Sequence, residues 1–399
     1  MRYYVALAFA AASALAYPAQ LETVAPSSPV EQRIRAAQRR VQADEESPQA
    51  FNDLAFAYCR AARDRGDLAL YAQAQAALDR SLQLSPSGFE AEKLGVTVLL
   101  GRHEFARALE RAAALNQKSH DDIGVWALLV DANVALGNYS EAERDAQWIL
   151  DLRPGSSLGF EKAAGLRVWF GDPEGAVEFF DEARRRTSPN DRDQQAWLLT
   201  SAARLQLANP KRAAELLAQA QTLFPDSQFA LQVLAELRMA QGDYPAAAAL
   251  FETRYRNVKS ASNLYDWAEA LEKSGRHEQA LAAFQTFEAQ ARAETGSPYN
   301  ANRDLIFFYA DRDHSPAEAL ALAAREAAAR HDSPTLDAYA WALYINGRYA
   351  EAKTQMDRAL AVGIRNPAML DRAARIAAKA GDTAASNHTK EVAAQSIRQ

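Results

Sequence analysis

The chain has 399 residues, more than one compact core usually supports, so it forms either several domains or an elongated array of repeats. Its net charge of −6 argues against nucleic acid as a main partner, because nucleic-acid-binding proteins present basic surfaces. Alanine is abundant and no alternating run of Val, Ile and Thr predicts a sheet. The one cysteine, Cys59, excludes an internal disulfide and is interpreted as a small buried apolar residue.

The first 16 residues have the composition of a secretory signal peptide. Arg2 precedes an apolar stretch from Val5 to Leu15, and the residues up to Ala16 have the small-x-small pattern of a cleavage site. We therefore expect cleavage after Ala16 and an exported mature protein, periplasmic or extracellular. The stretch is shorter than the roughly 20 residues that span a bilayer, so no stable membrane span is expected. A disordered or membrane-tethered tail is the alternative.

Residues 17–47 are predicted to contain a linker and a leader helix. Residues 17–28 contain several Pro and Ser residues, which is typical of a linker. Apolar residues then recur at the spacing of one helix face: Val30, Ile34, Ala37 and Val41. This stripe is narrow and lacks aromatic residues, which favours a helix that packs on the first repeat over a membrane-surface helix.

The stretch from Trp126 to Pro154 shows a repeating unit most clearly. Apolar residues as far as Leu136 follow a period near that of a helix, and Gly137 then supplies a helix stop. A second helix begins near Ser140 and ends before the proline. Two short amphipathic helices cannot bury both apolar faces alone, so the unit needs neighbours of the same kind.

Similar turns recur from residue 48 onward at intervals of 33 to 38 residues, which predicts ten helix pairs in residues 48–399. The turns are centred on Gly66, Gly101, Gly137, Gly171, Asn209, Gly242, Gly275, Arg312, Gly347 and Gly381. An alanine early in the second helix keeps the same interval and lets two helix backbones approach closely. These alanines are Ala74, Ala106, Ala142, Ala176, Ala213, Ala247, Ala280, Ala319 and Ala352.

Two units share one spacing of Trp, Ala and Pro: Trp126, Ala142 and Pro154, and then Trp197, Ala213 and Pro225. This pattern resembles the tetratricopeptide repeat (TPR), a 34-residue helix-turn-helix unit. The resemblance covers roughly residues 48–397. It implies an all-α, right-handed superhelical solenoid of about ten antiparallel helix pairs. We also expect the two tryptophans to be buried between helices.

Two insertions and the last unit depart from the pattern. Residues 186–193 and 288–302 are insertions between pairs, and the second is long enough to bend the array or to serve as a hinge. In the last unit the first helix is polar and Ser386 replaces the usual alanine. This is expected of a C-terminal cap that shields the last apolar face.

No motif for catalysis or metal binding occurs in the sequence: there is no Gly-rich phosphate loop, His-Glu metal motif or nucleophile elbow. We therefore expect a non-enzymatic protein with no cofactor, no metal site and no catalytic residue. His103 and His277 each follow a turn glycine by two residues, at the place of Tyr139 and Tyr244 in other units. Both histidines are interpreted as structural.

The resemblance implies that the first helix of each pair lines a concave surface. Beside the core positions of three consecutive first helices, aromatic residues are interspersed with carboxylates. This candidate patch consists of Tyr265, Glu269, Glu272, Asp304, Phe308, Asp311, Asp337, Trp341 and Tyr344. Aromatic rings surrounded by acids suit a basic or amide-rich extended peptide. The alternative is a solvated face whose rings pack between neighbouring helices.

The equivalent stripe in earlier units is apolar and small. It consists of Ala91, Gly95 and Val98, then Gly165 and Val168, then Leu198, Ala202 and Leu205. Such a stripe suits an apolar helix or a lipid-like segment, or it reflects tighter packing in that part of the superhelix.

The sequence as a whole predicts a scaffold or assembly factor outside the cytoplasm that binds a protein or peptide along the concave face of the solenoid. The alternative is a structural spacer or accessory subunit of envelope polysaccharide-export or secretion machinery, with self-association. The identity of the partner does not follow from the spacing of the repeats.

Overall fold

The computed structural model describes residues 29–297 and 299–398. Within these residues the chain is helical and contains no strand, and a leader helix precedes ten antiparallel helix pairs. This confirms the predicted all-α solenoid. No helix among the described residues has both the length and the apolar character needed to cross a membrane. The predicted signal peptide and linker, residues 1–28, lie outside the described residues.

The described helices are α1 (Pro29–Ala43), α2 (Pro48–Arg65), α3 (Ala69–Leu84), α4 (Phe89–Gly101), α5 (Phe105–Lys118), α6 (Ile123–Leu136), α7 (Tyr139–Leu152), α8 (Ser157–Trp169), α9 (Pro173–Arg186), α10 (Arg192–Arg204), α11 (Pro210–Leu223), α12 (Gln228–Ala240), α13 (Tyr244–Asn257), α14 (Ala261–Lys273), α15 (His277–Glu294), α16 (Asn302–Asp311), α17 (Pro316–Ala329), α18 (Ser333–Ile345), α19 (Tyr349–Leu360), α20 (Pro367–Lys379) and α21 (Thr383–Arg398). Pair 1 is α2 with α3, and the numbering continues to pair 10, which is α20 with α21.

Local sequence signals set the helix ends. The Asp122 side chain accepts a hydrogen bond from the Val125 backbone N–H (3.0 Å) and so caps the start of α6. Ser156 caps α8 in the same way, through the Gly159 N–H (3.2 Å). At the other end of α6, Gly137 has a φ of 88°, a left-handed conformation that glycine adopts without steric cost.

The predicted alanine positions are buried where the second helix packs on the first. Eight of the nine are at most 2% exposed: Ala74, Ala142, Ala176, Ala213, Ala247, Ala280, Ala319 and Ala352. In the last unit Ser386 takes this place, and its hydroxyl donates to the Ala374 carbonyl (2.9 Å). This bond satisfies the one polar atom that the serine introduces into the contact.

The prediction was wrong by two residues in pair 2. Ala106 is exposed, and Ala108 is the buried alanine of α5. The left-handed residue of this turn is His103, with a φ of 60°, and not Gly101, which still belongs to α4. Phe105, rather than His103, therefore begins the second helix, as His277 does in pair 7. The glycine in the sequence marked the wrong place because a histidine occupies the left-handed position.

We expected the two tryptophans of the repeat to be buried between helices, but both are only partly buried. The Trp126 indole N–H donates to the His120 carbonyl (2.7 Å), which keeps one edge of the ring near the surface. Trp197 packs between neighbouring helices, with its ring centroid 6.0 Å from that of Phe180 and 6.3 Å from that of Phe229.

The first half of the solenoid closes into a ring. Helices α1 and α2 lie against α10, the first helix of pair 5. Arg33 donates to Asp191 (3.1 Å) and to Asp193 (2.7 Å), and Arg60 pairs with the same two carboxylates. Residues of α2 and α10 consequently share one apolar core.

The turns of pairs 2, 3 and 4 each meet the loop that precedes the first helix six pairs later. In pair 2 the His103 ring lies 4.8 Å from the Tyr299 ring, just before α16. In pair 3 the Leu136 carbonyl accepts from the His331 backbone N–H (3.1 Å), just before α18. The turn of pair 4 similarly lies against the loop before α20. One superhelical turn therefore takes about six pairs.

The two predicted insertions have different structures. The first reduces to a short connection, residues 187–191, which supplies Asp191 to the ring closure. Much of the second is helical, because α15 continues to Glu294 before the loop that leads to α16.

The contact between superhelical turns predicts unequal effects of two matched substitutions. Gly137 and Gly242 both have positive φ, so alanine costs roughly 1–2 kcal/mol at either position. A Cβ at Gly137 would also lie 2.5 Å from the His331 backbone, whereas Gly242 has nothing within 4 Å. Gly137→Ala should therefore lower the denaturation midpoint clearly more than Gly242→Ala in urea unfolding followed by circular dichroism. Equal effects of the two substitutions would show that the turn at Gly137 does not touch the loop at His331.

Candidate functional site

The predicted patch occupies the inner face formed by the first helices. Among the α6 residues that line a cavity on this face are Ala127, Asp131 and Val134, which stand ten, six and three residues before Gly137 of the turn. The nine predicted residues have the same places relative to the turns of α14, α16 and α18. They therefore form one continuous strip across three neighbouring helices.

The aromatic rings of the patch belong mainly to the core. Tyr265, Phe308 and Trp341 are buried, and Tyr344 is partly buried. The Trp341 and Tyr344 rings stack at 4.7 Å with an interplanar angle of 12°. Phe308 packs on Phe284 with ring centroids 5.8 Å apart. These rings fix the spacing of the helices and do not form an exposed platform.

Arg312 organises the carboxylates at one end of the patch. Its guanidinium donates to Glu272 (2.5 Å) and Glu269 (3.2 Å) across the gap between α16 and α14. It also lies 4.3 Å from the centroid of the Phe284 ring, within the range of a cation–π contact. Burial opposes the charge of this guanidinium, but the hydrogen bonds to Glu272 and Tyr265 raise the pKa of Arg312 above its usual value.

Asp337 has a structural partner on the terminal unit. It is 3% exposed, and both of its oxygens accept from Arg372 of α20, one of them at 2.8 Å. The Arg372 guanidinium also lies over the Phe307 ring, 4.6 Å from the centroid. This buried pair joins the last helix pair to the array, so Asp337 is already occupied.

Asp304 and Asp311 differ from Asp337 in their partners, which are uncharged groups and not an arginine. The Ser262 hydroxyl donates to Asp304 (2.7 Å), and the Trp341 indole N–H donates to Asp311 (2.8 Å). Within residues 29–297 and 299–398, neither carboxylate forms an ion pair with an arginine or lysine. Asp311 is also exposed. These two groups carry negative charge that the surrounding side chains do not neutralise.

Sequence reasoning missed Asp266, which lies on the same face of α14. Arg254 donates to it (2.8 Å), and about a third of its side chain is exposed. Burial, together with the charges of Asp304, Glu269 and Glu236, raises the pKa of Asp266 to about 7 against the opposing charge of Arg254. Its place three residues before Glu269 could have included it in the patch. We call Asp266, Glu269, Glu272, Asp304 and Asp311 the acidic row.

The acidic row is a region of negative potential on the inner face. Burial and the nearby Asp304 also raise the pKa of Glu269, against the effect of Arg312. Such a site favours a cation that can approach several carboxylates together. Among the described residues, no group of three or more His, Cys, Asp or Glu side chains is arranged to hold a metal ion.

The earlier stripe differs from its prediction because of the ring closure and the register of pair 2. Ala91 and Val98 are buried in pair 2, where the inner positions belong instead to Lys93 and Thr97. In pair 5, Leu198 and Ala202 are buried in the core that α10 shares with α2. Gly165 lines the cavity of the first half, as its place on α8 predicts. Cys59 is buried as predicted, and burial raises the pKa of its thiol to about 12.

No protein-family model matches the sequence, and no curated protein is significantly similar to it. Solved structures share its fold. A chain of the APC/C hetero-tetramer Cut9-Hcn1 superposes with a TM-score of 0.53 at 16% identity, over 88% of this chain and 60% of that one. Human IFIT1, solved as a dimer with PPP-AAAA, gives a TM-score of 0.52 at 14% identity, over 92% of this chain and 86% of that one.

These similarities establish the TPR-like helical solenoid fold. The chain spans only about 60% of the length of the Cut9-Hcn1 chain that it matches. The binding role of the predicted patch remains a prediction.

The raised pKa of Asp266 predicts a pH-dependent stability. Its folded pKa of about 7 lies above the value near 4 of an unfolded aspartate, so between these values the folded state binds the extra proton. Lowering the pH through this window stabilises the fold, and raising the pH removes that stability. The melting temperature of Asp266→Asn, relative to the wild type, should therefore increase from pH 4 to pH 7 in thermal unfolding. A constant difference across this range would contradict the assignment.

Proposed function

We propose that this protein is a non-enzymatic scaffold that binds a basic segment of a partner protein along the acidic row. The observation that carries the proposal is the pair Asp304 and Asp311, which lie about two helical turns apart on one inner helix face and have no cation partner among the described residues. A lysine or arginine of a partner would supply the missing charge.

The fold supports a protein partner. Solenoids of helix pairs offer long inner faces on which an extended segment contacts several repeats at once. The matched Cut9-Hcn1 structure is itself a protein assembly. In the acidic row, Glu269 and Glu272 accept from the guanidinium of Arg312, a residue of the chain itself, which leaves Asp304 and Asp311 for the cation of a partner.

The proposal predicts that charge reversal at the row weakens binding without affecting the fold. Asp304→Lys combined with Asp311→Lys should reduce the affinity for lysine-rich extended peptides at least about tenfold, because two attractive charges become repulsive. Glu278→Lys, an exposed acid on the second helix of pair 7, is the matched control and should bind as the wild type does. Asp337 is not suitable for this test, because its pairing with Arg372 is structural.

Binding is measured by fluorescence anisotropy with peptides of equal length that carry lysine, serine or glutamate, at two salt concentrations. Preference for lysine, weakened by salt, supports the proposal. Equal binding of all three peptides, or unchanged affinity in the double variant, would contradict it. Stable self-assembly in sedimentation without peptide binding would favour the structural spacer in envelope export or secretion machinery instead.

We also propose that the scaffold acts outside the cytoplasm. The support is the pattern of residues 1–16, with Arg2, the apolar stretch and the small residues before the expected cleavage after Ala16. Intact-mass measurement of the protein purified from its native source should give a chain that begins at Tyr17. A chain that begins at Met1 would contradict export by this route.

A further inference from the structure

The ring of the first half surrounds an open cavity of about 1030 Å³. We call it the chamber; its wall consists mainly of the first helices α2, α4, α6, α8 and α10. Arg60 closes the ring through Asp191 (3.1 Å) and Asp193 (2.7 Å). The volume is at the upper end of the roughly 300–1,000 Å³ that small-molecule pockets occupy.

Several polar side chains of the wall bond to one another. Lys162 donates to both oxygens of Asp131, each at 2.7 Å. Gln194 donates to Glu161 (2.6 Å) and accepts from Arg63 (3.2 Å). These bonds run from α6 through α8 and α10 to α2. A ligand would have to break them to gain a hydrogen bond from these groups, and it would then leave a partner unsatisfied.

The remaining wall is apolar and incompletely buried. Phe56 is 45% exposed, and it is one of three large hydrophobic side chains that are classed as exposed among the described residues. Leu94, Leu158, Trp169 and Trp197 also line the chamber and are only partly buried. Covering this surface releases water from apolar groups, which stabilises a complex in proportion to the area covered.

Many polar groups of the wall already have hydrogen-bond partners, whereas its apolar groups are partly exposed to water. The chamber therefore favours some classes of ligand over others. Each residue of a peptide brings a backbone N–H and C=O that need partners when they leave water. The polar side chains in these bonds are engaged with one another, whereas the apolar side chains of the chamber have free surface. Two arginines of the wall, Arg60 and Arg330, each have a buried Nε without a hydrogen-bond partner among the described residues, which offers a donor but no acceptor for a peptide N–H. We infer that the chamber binds a small, predominantly hydrocarbon ligand, for which a fatty-acyl chain is the test case. This site is separate from the acidic row and does not depend on the proposed scaffold function.

The test uses the whole protein and the fluorescent probe N-phenyl-1-naphthylamine, whose emission increases in apolar sites. Octanoate, dodecanoate and hexadecanoate compete for the probe below their micelle-forming concentrations. Displacement should strengthen with chain length, by up to about fourfold per methylene group until the chamber is filled. Absence of probe binding, or displacement by extended apolar peptides but not by fatty acids, would overturn the inference.

Two variants locate the binding. Phe56→Ala should weaken probe binding about tenfold, because it removes exposed apolar surface from the wall. Thr97→Arg should abolish binding by filling the chamber with a charged side chain. Leu281→Ala, at a 61% exposed apolar residue that does not line the chamber, is the matched control and should leave binding unchanged. Helicity by circular dichroism verifies folding. Wild-type binding in both wall variants would place the probe elsewhere and overturn the inference.

Discussion

The architecture depends on one buried carboxylate, Asp193, which is 1% exposed between two arginines from the other end of the ring. Arg33 reaches it across 160 residues of sequence, and Arg60 adds a second pairing. Burial alone would raise the pKa of this carboxyl, but the hydrogen bonds from Arg33 and the charge of Arg60 hold it well below its usual range. A buried charge that loses its partner typically destabilises a protein by about 3–5 kcal/mol, so the pairing strongly fixes α1 and α2 against α10.

This closure determines what the two halves of the inner face can do. In the first half it converts an open groove into a chamber whose polar side chains bond to one another. In the second half, Asp311 stays exposed among the residues that the structure describes. The superhelical turns then meet edge to edge, as the hydrogen bond from His331 to Leu136 shows. One repeated unit thus forms two different inner surfaces, a largely apolar cavity in the first half and a row of carboxylates in the second.

Much of the fold could be predicted from the sequence because its determinants are local. Turn glycines, capping residues and an alanine at each helix contact act within one unit, and their spacing gave ten pairs. The register failed in pair 2 because His103 adopts the left-handed conformation that glycine adopts elsewhere. The ring closure could not be predicted, since Arg33 and Asp193 show no periodic relation. Asp266 was missed on α14 because it lies beside, and not within, the single stripe that contains Tyr265, Glu269 and Glu272.

The architecture requires that successive turns of the superhelix touch where pair 3 meets the loop before α18, six pairs later. Double electron–electron resonance between spin labels at Ser140→Cys and His331→Cys, in a Cys59→Ala background, tests it directly. Both label positions are exposed, and they flank the contact between Leu136 and the loop before α18. Contact between the superhelical turns predicts a single narrow distribution of label-to-label distances, centred at a short distance. A broad distribution at long distance, typical of an open superhelix, would contradict it.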